Sequence, residues 1–210
     1  MPRRRPAAPP RADEAAEPPR IIGGSLRGRR LAHLPGGPTR PMKDRVREAL
    51  FDLLGTAVRD AVALDLFAGT GALGFEALSR GAARAVFTER HFPTADAIRR
   101  SALDLGVAER CEVRPGDVLT WAKRMPDLPA SAPWVAFISP PWSMFQDRRD
   151  DLMAVVTAIL AKAPAGSIVV VEGDEAFDPA ALPDAAAWEH RHVLPAVLHF
   201  HGRLVSSGPG

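Results

Sequence analysis

The chain has 210 residues, 46% of them hydrophobic and 25% charged, enough for one globular domain with extensions. No apolar run approaches the roughly 18 residues that span a bilayer, and the basic N-terminus lacks the apolar segment of a secretory signal. The single cysteine, Cys111, excludes an internal disulfide framework and a thiolate metal cluster, so a cytoplasmic setting is expected.

Net charge is only +2, but it is unevenly spread: residues 1–50 hold 12 Lys/Arg against 5 Asp/Glu, and the remaining 160 hold 15 against 20. A basic front on a mildly acidic body points to a polyanionic partner met by the N-terminal part. Residues 1–19 are rich in Pro, Ala and charge without apolar periodicity, and read as a disordered tail. From Arg20 the basic residues sit inside patterned sequence. Ile21 to Gly24, with Leu26 and Leu31, predict a short hairpin turned by glycine. A Pro/Gly loop follows, then a helix over 41–54 with Val46, Ala49, Leu50, Leu53 and Leu54 on one face. Gly55 ends it.

The next stretch alternates regularly. Strands are predicted over 61–67, 83–89, 110–114, 134–138 and 167–172, with helices over 72–79, 94–105, 119–124 and 150–162 between them. Short apolar strands alternating with helices define an α/β fold, a parallel sheet covered on both faces. The end differs: 189–194 and 197–204, separated by a proline turn, form a last strand pair without a helix between. Residues 1–19 are thus a tail, 20–56 an N-terminal extension and 57–205 the main domain. The four histidines at 190, 192, 199 and 201 alternate on that last pair; with no carboxylate or thiolate nearby they read as ordinary strand surface, and no metal is expected.

Asp65-Leu66-Phe67-Ala68-Gly69-Thr70-Gly71 lies at a strand end and opens a helix. Its glycines permit a tight turn and let a ligand approach backbone amides at a helix N-terminus, where an anionic group is favoured. The same stretch satisfies G-x-G-x-x-G through Gly74, and Glu89 follows about 20 residues on, as in dinucleotide folds. Two acids favour S-adenosylmethionine over NAD(P). Asp65, just before the loop, would repel a pyrophosphate but attract an amino-acid ammonium, and Asp117, after the third strand, is placed to meet an adenine amino group. Glu89 suits the ribose hydroxyls in either case.

Ser139-Pro140-Pro141-Trp142 ends the fourth strand. Methyltransferases that modify exocyclic amines of bases carry Asp or Asn, Pro-Pro and an aromatic here. A side-chain oxygen and the first proline's carbonyl accept from the target NH2, and the aromatic stacks on the extruded base. Serine offers a shorter, uncharged acceptor.

At this point the chain resembles the bacterial small-subunit (16S) rRNA guanine-N2 methyltransferases of the D type. The likeness rests on Arg20-Ile21-Ile22-Gly23-Gly24, Arg27-Gly28-Arg29-Arg30-Leu31, Arg40-Pro41, Asp44 through Phe51, Asp65 through Gly71 and Gly74 through Gly81. It implies a class I, Rossmann-like sheet of seven strands with the last antiparallel. It further implies methyl transfer from S-adenosyl-L-methionine to N2 of one guanine in 16S rRNA, with the partly assembled small subunit as substrate and a monomeric enzyme. Mapped onto this chain, the resemblance assigns cofactor binding to Asp65, Phe67, Gly69, Thr70, Gly71, Glu89 and Asp117. Base handling falls to Ser139, Pro140 and Trp142, and RNA contacts to Arg27, Arg29, Arg30, Arg40, Lys43 and Arg45. Three positions depart from the family pattern: Ser139 replaces Asp or Asn, His91 replaces an Asp, and Met42-Lys43 replaces a Thr pair. Serine at the chemical position keeps open an alternative, an RNA-binding assembly factor with weak or absent catalysis.

Overall fold

A computed structural model describes residues 18–34, 42–122 and 128–204. Arg40 and most of the expected tail lie outside these residues. Among these residues five strands alternate with helices and two more follow without an α-helix between: α1 (Asp44–Leu54), β1 (Val62–Asp65), α2 (Ala72–Ser79), β2 (Arg84–Glu89), α3 (Phe92–Asp104), β3 (Cys111–Pro115), α4 (Val118–Ala122), β4 (Trp134–Ile138), α5 (Met144–Asp147), α6 (Arg149–Lys162), β5 (Ile168–Gly173), β6 (Trp188–Val193) and β7 (Ala196–His201). The strands form one sheet in the order β3-β2-β1-β4-β5-β7-β6. The first five run parallel, while β7 is antiparallel to both β5 and β6. Helices cross on both faces because each parallel connection must return over the sheet. This is the class I methyltransferase fold, as expected.

Strand pleating sorts the core into two layers. Val62 and Leu64 of β1 face a cluster with Leu152, Val155 and Ile159 of α6. Ala63 faces the other cluster, with Leu50, Phe51 and Leu54 of α1 and Phe75 and Leu78 of α2. Ile21 and Leu31 belong to that second cluster, so the N-terminal stretch shares the core of the main domain. It is a loop closed by one antiparallel bridge, Arg20 to Arg30, and by the Ile21 amide donating to the Arg29 carbonyl at 2.9 Å.

What seats this loop is α2. The fully buried Glu76 carboxylate accepts from the amides of Ile22 at 2.7 Å and Gly23 at 2.8 Å, and from the Arg80 Nε at 2.8 Å. Ser79 accepts from the Leu26 amide at 2.9 Å. Gly24 sits at φ +75°, where an added Cβ would fall 2.0 Å from the Ser79 carbonyl oxygen, so no side chain fits. The buried Arg47 of α1 reaches the same knot, donating to the Arg20 carbonyl at 2.7 Å and to Asp44 at 2.9 Å.

The histidine reading needs correcting at one position. β7 lies inside the sheet rather than at its edge, so His199 is buried, 1% exposed, with its Nδ1 2.8 Å from that of His190. Burial, then His190 and His192, push its pKa down to about 4. It is a neutral core histidine at pH 7. Among the described residues no group of three or more His, Cys, Asp or Glu could hold a metal, and no helix is long and apolar enough to cross a membrane.

Candidate active site

The C-terminal ends of β1 to β5 converge on one cavity of about 730 Å³, within the size range of cofactor sites. Asp65, Phe67, Gly69, Thr70, Glu89 and Asp117 line it, and so do Ser139, Pro140 and Trp142. The structure therefore brings together nearly all of the expected cofactor and base-handling residues. Gly71 alone among them is not in the wall: it caps α2 in the left-handed region at φ 76°, with its amide bound to the Ala68 carbonyl at 2.7 Å.

Two carboxylates organise the glycine loop. Asp65, fully buried, accepts from the Gly74 amide in the first turn of α2 at 3.0 Å. Burial raises its pKa to about 7, with Glu89 adding to the rise and the Gly74 amide opposing it. Glu89 accepts from the Gly69 amide at 2.9 Å through one oxygen and from the His91 amide at 2.8 Å through the other. The expectation of bare loop amides is thus met only in part, because the amides of both Gly69 and Gly71 are engaged inside the protein. The loop holds its shape through these bonds. Asp117 is exposed and caps α4, accepting from the Leu119 amide at 2.9 Å through one oxygen.

The close approach of α2 to the sheet sets the loop's position. An added Cβ at Gly74 would lie 2.3 Å from the Phe87 ring of β2, so only glycine lets the helix start this near the strand. Phe75 packs on the same ring with centroids 4.9 Å apart.

On the other side of the cavity, Ser139 and Pro140 follow β4, and half-buried Trp142 packs against both core clusters. The Ser139 hydroxyl donates to Glu172 at the end of β5. Glu172 lines the cavity, is 8% exposed, and burial pushes its carboxyl above the ordinary value. Sequence reasoning missed it. So too were missed Met42 and Val46 at the start of α1, Arg90 after β2, and Pro195 and Ala196 in the β6–β7 turn, all in the wall.

The basic residues divide. Lys43 is exposed and lines the cavity mouth. Arg45 is exposed and donates to the Leu194 carbonyl, tying α1 to the β6–β7 turn. Arg27, Arg29 and Arg30 are exposed but outside the cavity wall. Arg29 donates to the Asp104 carbonyl in the last turn of α3, at 2.6 Å. Since α3 begins beside Glu89 and runs about 20 Å, this places Arg29 at the far end of that helix from the glycine loop.

A seven-stranded sheet in this order, with acids ending β1 and β2 around a glycine turn, defines a class I methyltransferase-type protein. The model of the family described as conserved hypothetical protein 95 matches residues 19–192. The chain belongs to that family, the D-type small-subunit rRNA methyltransferase group it resembles in sequence. Ribosomal RNA small subunit methyltransferase D of Escherichia coli K12 is 58% identical over 71 residues, 33% of this chain and 35% of the relative. The Haemophilus influenzae protein of the same name is 38% identical over 124 residues, 59% of this chain and 63% of the relative. The matched stretches thus span between about a third and two thirds of these relatives. Among solved structures, a hypothetical protein of Thermus thermophilus is 27% identical with TM-score 0.67, covering 88% of this chain and 99% of its own. An RNA methyltransferase of Salinibacter ruber in complex with S-adenosyl-L-homocysteine shares the fold, with TM-score 0.53 at 21% identity, covering 81% of this chain and 97% of its own.

Proposed function

We propose that this protein is an S-adenosylmethionine-dependent methyltransferase acting on the exocyclic N2 of a guanine in 16S rRNA. Its substrate is the small ribosomal subunit or an assembly intermediate, and it works as a cytoplasmic monomer. The observation that carries the reading is one cavity walled on one side by Asp65, Glu89 and Asp117 and on the other by Ser139, Pro140 and Trp142. The residues present fit the cofactor. Buried Asp65 complements an ammonium, Glu89 retains lone pairs for ribose hydroxyls beyond the two amides it holds, and Asp117 has a second oxygen for an adenine amine. Phe67 and Val118 give apolar wall. When bound, S-adenosylmethionine supplies a methyl group on a positive sulfur, already a good electrophile.

The protein's task is therefore orientation. Ser139 and the Pro140 carbonyl meet the target amine, Trp142 stacks on the base, and Lys43 stands at the mouth where the RNA backbone arrives. The D-type relatives, named as small-subunit rRNA methyltransferases, support ribosomal RNA as the partner. The test is mass spectrometry of 16S rRNA from cells with and without the gene. A single N2-methylguanine lost on deletion and restored by the wild-type gene is expected; unchanged 16S rRNA excludes the reading.

A further inference from the structure

The chemical position of this site holds a hydroxyl, and a carboxylate stands one strand over. β4 and β5 are parallel, with Ile138 opposite Val171, so Ser139 and Glu172 are the next residues on each strand. By strand alternation they turn to the face that α1 covers. The Ser139 hydroxyl donates to Glu172 Oε2, and both residues line the cavity beside Pro140 and Trp142. Two influences act on the Glu172 carboxyl: burial, which raises its pKa, and the opposing Ser139 bond. Among the described residues no cation pairs with Glu172, and a buried acid held without one costs stability, so its presence in a cavity wall calls for a task.

We propose that Glu172 is the working carboxylate of this site, accepting a hydrogen bond from the target amine and taking the proton it sheds, with the Ser139 hydroxyl, whose oxygen also meets that amine, donating the bond that holds the carboxylate in place. The inference rests on the methyltransferase reading above and sharpens its choice of base. Guanine presents N1–H and N2–H2 side by side, two donors that match a carboxylate. Adenine and cytosine place a ring-nitrogen acceptor next to their amines, which a carboxylate would repel. In the reaction the N2 lone pair forms the new N–C bond while the methyl–sulfur bond breaks, its electron pair leaving with sulfur. N2 then carries one proton and one positive charge in excess, and that proton passes to Glu172 and on to solvent. The Ser139 hydroxyl takes one lone pair of Glu172 Oε2, leaving Oε1 and the remaining lone pair of Oε2 for the two guanine donors.

Three variants test this in the full chain: Glu172→Gln, Ser139→Asp and the double variant. The readouts are transfer from labelled S-adenosylmethionine to unmodified small subunits, affinity for S-adenosylhomocysteine, and thermal midpoint. E172Q should lower kcat at least 100-fold, leave cofactor affinity within threefold and, by removing a buried acid, not lower the midpoint at pH 8. S139D alone sets a second carboxylate against Glu172 and should also lose activity. S139D/E172Q moves the acid to β4 and should recover at least tenfold over E172Q. An E172Q enzyme within threefold of wild-type kcat, or an S139D enzyme faster than wild type, overturns the assignment. A wild-type protein that binds S-adenosylhomocysteine yet methylates no RNA refutes the target reading itself, and the role of Glu172 falls with it.

Discussion

The Gly74 amide donates to the Asp65 carboxylate at 3.0 Å, so the acid that ends β1 also holds the first turn of α2. This leaves Asp65 with one oxygen for a ligand and a pKa of about 7, set chiefly by burial. Its folded value lies above the ordinary 3.8, so its contribution to stability is full below about pH 4 and is lost as pH rises toward and through 7. A ligand ammonium reverses that loss by stabilising the charged form. S-adenosylhomocysteine should therefore release protons on binding near pH 7, seen as a dependence of calorimetric heat on buffer ionisation enthalpy. Asp65→Asn should abolish that release and weaken binding roughly 10- to 100-fold, the worth of one charged hydrogen bond. Unchanged proton release in the variant would assign it elsewhere.

Trp142→Ala should separate binding from chemistry. The ring packs against both core clusters, so the variant loses some stability, but Asp65, Glu89 and Asp117, the acids proposed to hold the cofactor, stand at the ends of β1, β2 and β3 rather than after β4. Methyl incorporation into small subunits should fall by about 100-fold or more, from lost stacking and base orientation together. Affinity for S-adenosylhomocysteine should change less than threefold. Normal turnover would remove Trp142 from base handling.

Glu76→Ala should unseat the N-terminal loop. It strips acceptors from the Ile22 and Gly23 amides and from Arg80, and leaves buried Arg47 with less opposite charge nearby. Breaking a buried ionic knot of this kind costs about 3–5 kcal/mol, measured by urea denaturation. Proteolysis between residues 20 and 31 should accelerate in parallel.

Gly74→Ala should cost about 1–3 kcal/mol, as overpacking does, because its methyl would meet the Phe87 ring at 2.3 Å. Phe87→Leu is destabilising alone, yet the pair should be less than additive in a double-mutant cycle. Full additivity would show that α2 is free to shift.

Removing Arg27, Arg29 and Arg30 together should weaken small-subunit binding and flatten its salt dependence, by about two units of logarithmic slope if all three meet phosphate. Arg29→Ala alone should also cost about 0.5–1 kcal/mol of stability, since Arg29 donates to the end of α3. An unchanged affinity and slope would make the block a solvated surface.

The class of fold was legible because alternation of short apolar runs with helical ones leaves few arrangements. α2 at 72–79 and β4 at 134–138 fall where the pattern put them. Asp65, Glu89 and Asp117, the acids proposed to hold the cofactor, were legible as strand-end residues, and the cavity gathers them. What stayed hidden depends on register and closure. Glu172 gains meaning only when β5 lies beside β4 and sets it against Ser139. His199 looked like alternating surface because the sequence cannot say that β7 inserts between β5 and β6. The amides of Gly69 and Gly71 looked open to ligand because the loop's own bonds to Glu89 and Ala68 are not local in sequence pattern.

The seating of the N-terminal loop on Glu76 bears on how such chains diverge. Ile22, Gly23 and Leu26 present amides, Gly24 a backbone turn, and Glu76 and Ser79 the matching acceptors, so the two segments form a lock spread over more than fifty positions. Replacing one side alone strands a charge in the core. The exposed arginines stand outside this lock, Arg29 held by its bond to the Asp104 carbonyl, and on the proposed reading they would vary with the RNA surface they contact. In an alignment, the glycines should co-vary with α2, and the arginines with the ribosome.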